Sequence, residues 1–136
     1  MATYNKFNQT VEDMAHGVYN CATDQFTVAL TVAAPIATNT VLANLTEIAY
    51  TNLSARDLTT STSAQTSGTF TQLFADLVLT ASGGPVAAFR YITIYDNTPT
   101  SPADPLLCFY DFGSSLVLAD GETLTIDFTT STFTLA

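Results

Sequence analysis

An all-β fold is what this sequence predicts: an antiparallel β-sandwich, jelly-roll or immunoglobulin-like Greek key, with about seven to eight strands and one short N-terminal α-helix. Three observations predict it. From Gln25 onward, apolar and polar residues alternate with a period of two in short runs. Turn formers divide those runs, as at Ser82-Gly83-Gly84-Pro85, Asn97-Thr98-Pro99-Thr100-Ser101-Pro102 and Asp120-Gly121. Between the runs, no stretch sustains the 3.6-residue period of a long helix.

At the N-terminus, Phe7, Val11 and Met14 fall at i, i+4 and i+7, with Asn8 or Thr10 placed to cap a helix and Gly17 to stop it. Residues 1–17 therefore read as a helical arm. Short helices gain stability mainly by packing, so its first expected role is to plug one end of the core. The alternative is docking on a partner, which makes Phe7, Val11 and Met14 the candidate contact residues. Phe26, Val28, Leu30 and Val32 alternate with Thr27, Ala29 and Thr31, the pattern of a half-buried strand ended by Ala33-Ala34-Pro35. Thr38 to Asn52 reads as a loop with one helical turn. Strands are expected near Ala55–Thr60, Thr69–Thr80, Ala88–Asp96, Leu106–Phe112, Ser115–Leu118, Thr123–Phe128 and Thr132–Leu135, with the Thr/Ser tract Thr59–Ser67 as an exposed loop. No repeat or linker interrupts the chain, so residues 1–136 are expected to form one domain, long enough to bury roughly 68% of its unfolded surface.

Charged residues are only 11% of the chain, against about 25% in typical soluble domains. Thr, Ser and Asn fill the outward positions, as in Thr59-Thr60-Ser61-Thr62-Ser63 and Thr129-Thr130-Ser131-Thr132; a second reading is that neighbouring subunits cover part of this surface. Lys6, Arg56 and Arg90 stand against twelve acids, a net charge of −9. That balance argues against nucleic acid and against anionic membranes as partners, since both need clustered Lys and Arg. With no signal-type or membrane-spanning apolar run, synthesis in a cytosol is expected, and Cys21 and Cys108 read as reduced thiols, Cys108 in the core.

The letters Asp111-Phe112-Gly113 carry a magnesium-binding aspartate in protein kinases, but here the glycine-rich loop, strand lysine and catalytic loop of that chemistry are absent. The tripeptide reads as a strand end with Phe112 packed and Gly113 turning the chain. His16 is the only histidine, a base without a motif, and reads as a helix-end side chain. Zinc would need three ligands from two Cys and one His without motif spacing. Asp120 and Glu122 flank Gly121 and could offer oxygens to calcium, but the ladder of an EF-hand is missing. A paired-carboxylate glycosidase is disfavoured by the absence of Trp. Tyr91, Thr93 and Tyr95 share one strand face and Arg90, Ile92 and Ile94 the other; the tyrosine face reads as core or interface, with a carbohydrate surface as the alternative. No catalytic residue, cofactor or metal is expected.

The stretch Pro105-Leu-Leu-Cys-Phe-Tyr-Asp-Phe-Gly-Ser-Ser-Leu-Val-Leu-Ala-Asp-Gly-Glu-Thr-Leu-Thr-Ile-Asp-Phe128 resembles the C-terminal signature of a group of small virion proteins of tailed bacteriophages. Ile48-Ala-Tyr-Thr-Asn-Leu-Ser-Ala-Arg56 and Ala81-Ser-Gly-Gly-Pro-Val-Ala-Ala-Phe-Arg-Tyr-Ile-Thr-Ile-Tyr-Asp96 support the resemblance, which runs through most of the chain. Where the group often has Trp before its Asp-aromatic-Gly turn, this chain has Phe109. The resemblance implies a non-enzymatic structural component made in the host bacterial cytoplasm. Its first implied role is a head decoration, or cement, protein on the outer capsid surface, bound to the major capsid protein and self-associated, by analogy as a trimer. Phe7, Val11 and Met14 would then be the capsid or oligomer contacts. The alternative it implies is a receptor- or glycan-binding module of a tail fibre or tail tip.

Overall fold

The computed structural model describes residues 2–129 and 131–136; Met1 of the expected arm and Thr130 of the Thr/Ser run lie outside the described residues. Among the described residues there are nine strands and one α-helix: β1 Thr3–Lys6, α1 Gln9–Ala15, β2 Phe26–Thr31, a 3₁₀ turn Leu42–Asn44, β3 Thr60–Thr66, β4 Thr69–Phe74, β5 Leu77–Thr80, β6 Phe89–Asp96, β7 Leu106–Leu116, β8 Thr123–Ile126 and β9 Phe133–Leu135. All pairings are antiparallel. A four-stranded sheet in the order β1-β7-β6-β2 faces a three-stranded sheet, β3-β4-β9, and a two-stranded one, β5-β8. The fold is the expected antiparallel β-sandwich.

Its main core lies between these sheets, where Phe26, Val28 and Leu30 of β2, Ile92 and Ile94 of β6 and Cys108 of β7 meet Phe74, Leu79 and Ile126. A second, smaller core of Phe7, Ala29, Tyr95, Leu106 and Phe109 lies on the opposite face of the four-stranded sheet, against Leu42, Leu45 and Tyr91. Because the chain around Leu42 covers that face, β2 is buried along all six residues instead of half-buried. Its hydroxyls are satisfied internally: Thr27 donates to Asp57 Oδ1 at 2.9 Å and Thr31 to Ala33 O at 2.8 Å. The outer edge of β2 is closed by main chain, with Val28 N–H on Arg56 O, Leu58 N–H on Phe26 O and Ile48 N–H on Leu30 O. The strand expected at Ala55–Thr60 therefore serves as an irregular strap, joined to β2 by a single bridge at Asp57.

The N-terminal arm departs from its prediction. Residues 3–6 are a strand, not part of the helix, and pair from Thr3↔Asp111 to Lys6↔Cys108. Thr-Tyr-Asn-Lys has no period to announce it; the free edge of the long strand β7 draws it in. The helix that follows ends as expected at Gly17, where Gly17 N–H reaches Met14 O and Val18 N–H reaches Asp13 O, the two bonds of a Schellman motif. Its start differs, because neither Asn8 nor Thr10 caps it through a side chain. The Thr10 hydroxyl instead lies against Leu107 O at 2.7 Å and Leu106 O at 3.1 Å, and Tyr19 OH donates to Leu106 O at 2.7 Å. These hydroxyls take over the edge of β7 where β1 runs out.

Three strand boundaries also move. The Thr/Ser tract expected as a loop is β3, joined to β4 through Ser67 (φ 51°) and Gly68 (φ 82°), the double positive-φ pair of a type I′ hairpin. The expected strand Thr69–Thr80 breaks at Ala75-Asp76, so that β5 can leave β4 and pair with β8. The strands expected at Leu106–Phe112 and Ser115–Leu118 are one strand, β7. The register jumps from Tyr91↔Asp111 to Phe89↔Leu116, which leaves residues 112–115 bulged opposite Arg90. Past β7, the turn at Asp120-Gly121 is an arch between sheets: Glu122 N–H bonds Ala119 O at 2.9 Å, and β8 joins β5, not β7. Leu118 and Ile126 thereby enter the same core.

Thr10→Val keeps the shape of the side chain and takes the hydroxyl donor from Leu107 O at the buried edge of β7, while Leu106 O keeps Tyr19 OH. It should cost about 1–3 kcal/mol of unfolding free energy, read from urea denaturation midpoints at unchanged slope.

Candidate functional site

Asp111 stands at the start of the β7 bulge and is fully engaged, while Phe112, expected to be packed, is half-buried on a groove that it lines with Ala2 and Leu124. Arg90 Nε and Nη2 donate to the two carboxylate oxygens of Asp111 at 2.8 and 2.9 Å, and Gly113 N–H adds a 2.8 Å bond. The Arg90 bonds, then the Gly113 amide, hold the Asp111 carboxyl below its ordinary range. Gly113 itself (φ 96°) does not end the strand as expected; it lets the bulge form with positive φ. Asp111 is a clamp that closes this bulge.

The other singled-out groups are likewise committed. Asp120 Oδ1 accepts Gly83 N–H at 2.9 Å and Glu122 Oε2 accepts Ala119 N–H at 2.7 Å, so both carboxylates considered for calcium brace the arch. His16 is exposed at the end of α1, 3.7 Å from Glu12. Both cysteines are free thiols, Cys108 buried and Cys21 half-buried. Burial raises the Cys21 thiol to about 11 and the Cys108 thiol to about 12, which removes the thiolate that nucleophilic chemistry needs. Of the tyrosine face, Tyr95 is buried in the second core and Tyr91 packs against it, so the strand does not present the aromatic platform a sugar would stack on.

Of the contact candidates, Phe7 is corrected: it lies beyond the helix, 0% exposed in the second core, where its ring meets Phe109 at 5.1 Å between centroids. Val11 and Met14 line one wall of a groove of about 520 Å³ between α1, β1 and β9, with Leu107, Phe133 and Leu135 among its apolar surfaces. Val11 (55% exposed), Tyr4 (44%) and Leu135 (46%) converge on it from three elements at the two ends of the chain. Beyond Tyr4, which meets Tyr110 edge to face at 5.5 Å, a second groove of about 420 Å³ runs along Ala2, Phe112 and Leu124. The strand that carries Tyr4 and Lys6 to the first groove, β1, is an edge strand of its sheet, paired with β7.

Charge is distributed unevenly around this site. Arg90 is bound to Asp111, while Arg56 pairs with Glu47 at 3.5 Å and lies 3.7 Å over the Tyr50 ring. Lys6, on the groove, is the one Lys or Arg that pairs with no carboxylate among the described residues. What this arrangement can do is bind: it offers apolar area, an open strand edge and one ammonium. The helical stripe pointed to Val11 and Met14, whereas Tyr4, Phe133 and Leu135 carried no local signal because the sheets alone bring them together. In comparisons with known proteins, no protein-family model, no curated protein and no solved structure matches the chain.

Since Val11 is exposed at the start of a helix, Val11→Asp should change unfolding free energy by no more than roughly 0.5 kcal/mol. Phe7→Ala should cost about 3–5 kcal/mol. Deleting residues 2–16 should abolish the cooperative thermal transition, because it removes β1 and Phe7 together. Differential scanning calorimetry of the three variants checks all three outcomes.

Proposed function

We propose that the protein is a structural component of a tailed-bacteriophage particle: a decoration protein made in the bacterial cytoplasm, placed on the outer capsid surface, and bound there to the major capsid protein as a homotrimer. The observation that carries a contact role is the apolar groove between α1, β1 and β9, beside the open β1 edge. Stable protein interfaces bury roughly 1,200–2,000 Å² in total, so one groove must be joined by neighbouring surface, as a repeated subunit on a lattice provides. The resemblance of residues 105–128 to small virion proteins supports the particle.

The physical character of the chain agrees with this role. An acidic subunit is repelled by packaged DNA and suits the outer face of a shell. Residues whose letters suggest chemistry hold backbone instead: Asp111 a bulge, Asp120 and Glu122 an arch. Binding the assembled shell and not its dissociated subunits would stabilise the shell by mass action. The tail-fibre reading requires an exposed aromatic and carboxylate patch, and the burial of Tyr95 weighs against its leading candidate.

Purified protein added to emptied, undecorated capsids should co-sediment with them and raise their disruption temperature. Val11→Asp and Leu135→Asp should lower capsid affinity by at least about tenfold, which is 1.4 kcal/mol, while the free protein keeps its own melting temperature. Wild-type protein that ignores capsids and binds host cells would replace this reading with the receptor-binding one.

A further inference from the structure

At the end of β6, Asp96 is 0% exposed. Its Oδ1 accepts Thr98 N–H at 3.0 Å, while Oδ2 has no hydrogen-bond donor. A second carboxyl, Asp24, is brought beside it by the chain, because Phe26 pairs with Asp96 and Gln25 bonds both Asn97 and Thr98. Asp24 closes its own turn, accepting Asn20 N–H at 2.7 Å and donating its own N–H to Asn20 O at 2.9 Å. The remaining titratable neighbours are Tyr19 and Cys21 of the same loop and, beyond Tyr19, Asp13 of α1. None of these is a cation. Arg56 and Arg90 are held by Glu47 and Asp111, and Lys6 lines the groove.

A carboxylate as fully buried as Asp96, with a second carboxyl beside it and no cation, is disfavoured in its charged form. We propose that Asp24 and Asp96 share one proton, and that this acid–carboxylate hydrogen bond is a pH-sensitive latch fastening residues 17–25 to the end of β6. Burial, and then the bond with Asp24, raise the Asp96 carboxyl to about 7. The fastened loop carries Tyr19, whose hydroxyl helps close the β7 edge at Leu106 O. It also carries Gln25, whose N–H bonds Thr98 Oγ1 and whose carbonyl accepts Asn97 N–H, both at 2.8 Å. The folded-state value lies above the unfolded one, so the stabilisation is present at acid pH and is lost as pH rises through about 7.

Asp96→Asn tests this, because an amide imitates the protonated acid and donates permanently to Asp24. In chelator-treated buffer, wild type and variant should melt together below about pH 4, where the carboxyl is protonated in the unfolded chain too. Near about pH 8.5 the variant should melt higher by on the order of 5 °C, and its Asn20–Gln25 amides should exchange hydrogen more slowly than those of wild type. Asp24→Asn should give the same pattern and serves if Asp96→Asn does not fold. Melting curves with the same pH dependence in wild type and the folded variants would overturn the latch. So would millimolar calcium raising the melting temperature of wild type but of neither variant, since a cation and not a proton would then join the two carboxylates.

Discussion

Along β7, the backbone of Leu106–Leu116 faces β6 on one side and a succession of unlike partners on the other. From Asp111 back to Cys108 the partner is β1; at Leu107 and Leu106 it is the hydroxyls of Thr10 and Tyr19. A buried backbone group without a partner costs about as much as a lost hydrogen bond, so a long strand carrying two cores cannot leave that edge open. This requirement fixes the N-terminal sixth of the chain. Once β1 is paired, the chain enters α1 through Phe7 in the second core, and Asn8 N–H is tied to Ala37 O. The edge problem is thereby moved outward to β1, a short strand with one lysine, which resembles the way natural sheets blunt exposed edges.

The same economy governs charge. With three Lys and Arg in the chain, each has a distinct place: Arg90 closes the β7 bulge, Arg56 pins the strap over β2, and Lys6 stands at the groove. No cation is left for the Asp24–Asp96 pair, where a proton is the counter-charge available. Of the buried hydroxyls, Thr27, Thr31 and Thr10 each find an acceptor nearby, whereas those of Thr93 and Thr132, like Gln72 Oε1 and Asp13 Oδ2, have no partner among the described residues. A chain rich in Thr can therefore bury both faces of a strand without burying unpaired charge.

What could be read in the sequence was local in origin. The period of β2, the alternation of β6, the Gly17 stop and the turn at Asp120-Gly121 each follow from neighbouring residues. What could not be read depended on distant partners. Thr3 pairs with Asp111 across the length of the chain, and nothing in Thr-Tyr-Asn-Lys signals it. Gly113 has the letters of a stop but sits in a bulge, because β6 continues to supply partners beyond it. The tract Thr59–Ser67 looked like a loop because serine and threonine suit both; the Ser67-Gly68 pair was the signal for a hairpin. Tyr95 is buried by a non-periodic segment around Leu42 and Leu45, which hydrophobic pattern cannot foresee.

The same distinction bears on what a resemblance in residues 48–56, 81–96 and 105–128 can carry. Those stretches supply the Arg90–Asp111 clamp, the Arg56–Tyr50 stack, and the Asp120 and Glu122 brackets, all of which hold backbone in place. Similarity there reports the architecture. Of the residues lining the α1–β1–β9 groove, Leu107 alone falls within them; Tyr4, Lys6, Val11, Met14, Phe133 and Leu135 come from the two ends of the chain. Those ends are joined by pairing to strands of the sandwich, so their placement is imposed by the pairing while their outward side chains are free to vary. A scaffold of this kind can keep its frame and change its partner by substitutions at the termini. The groove, and not the Asp-Phe-Gly bulge, is where specificity for a particular surface would be written.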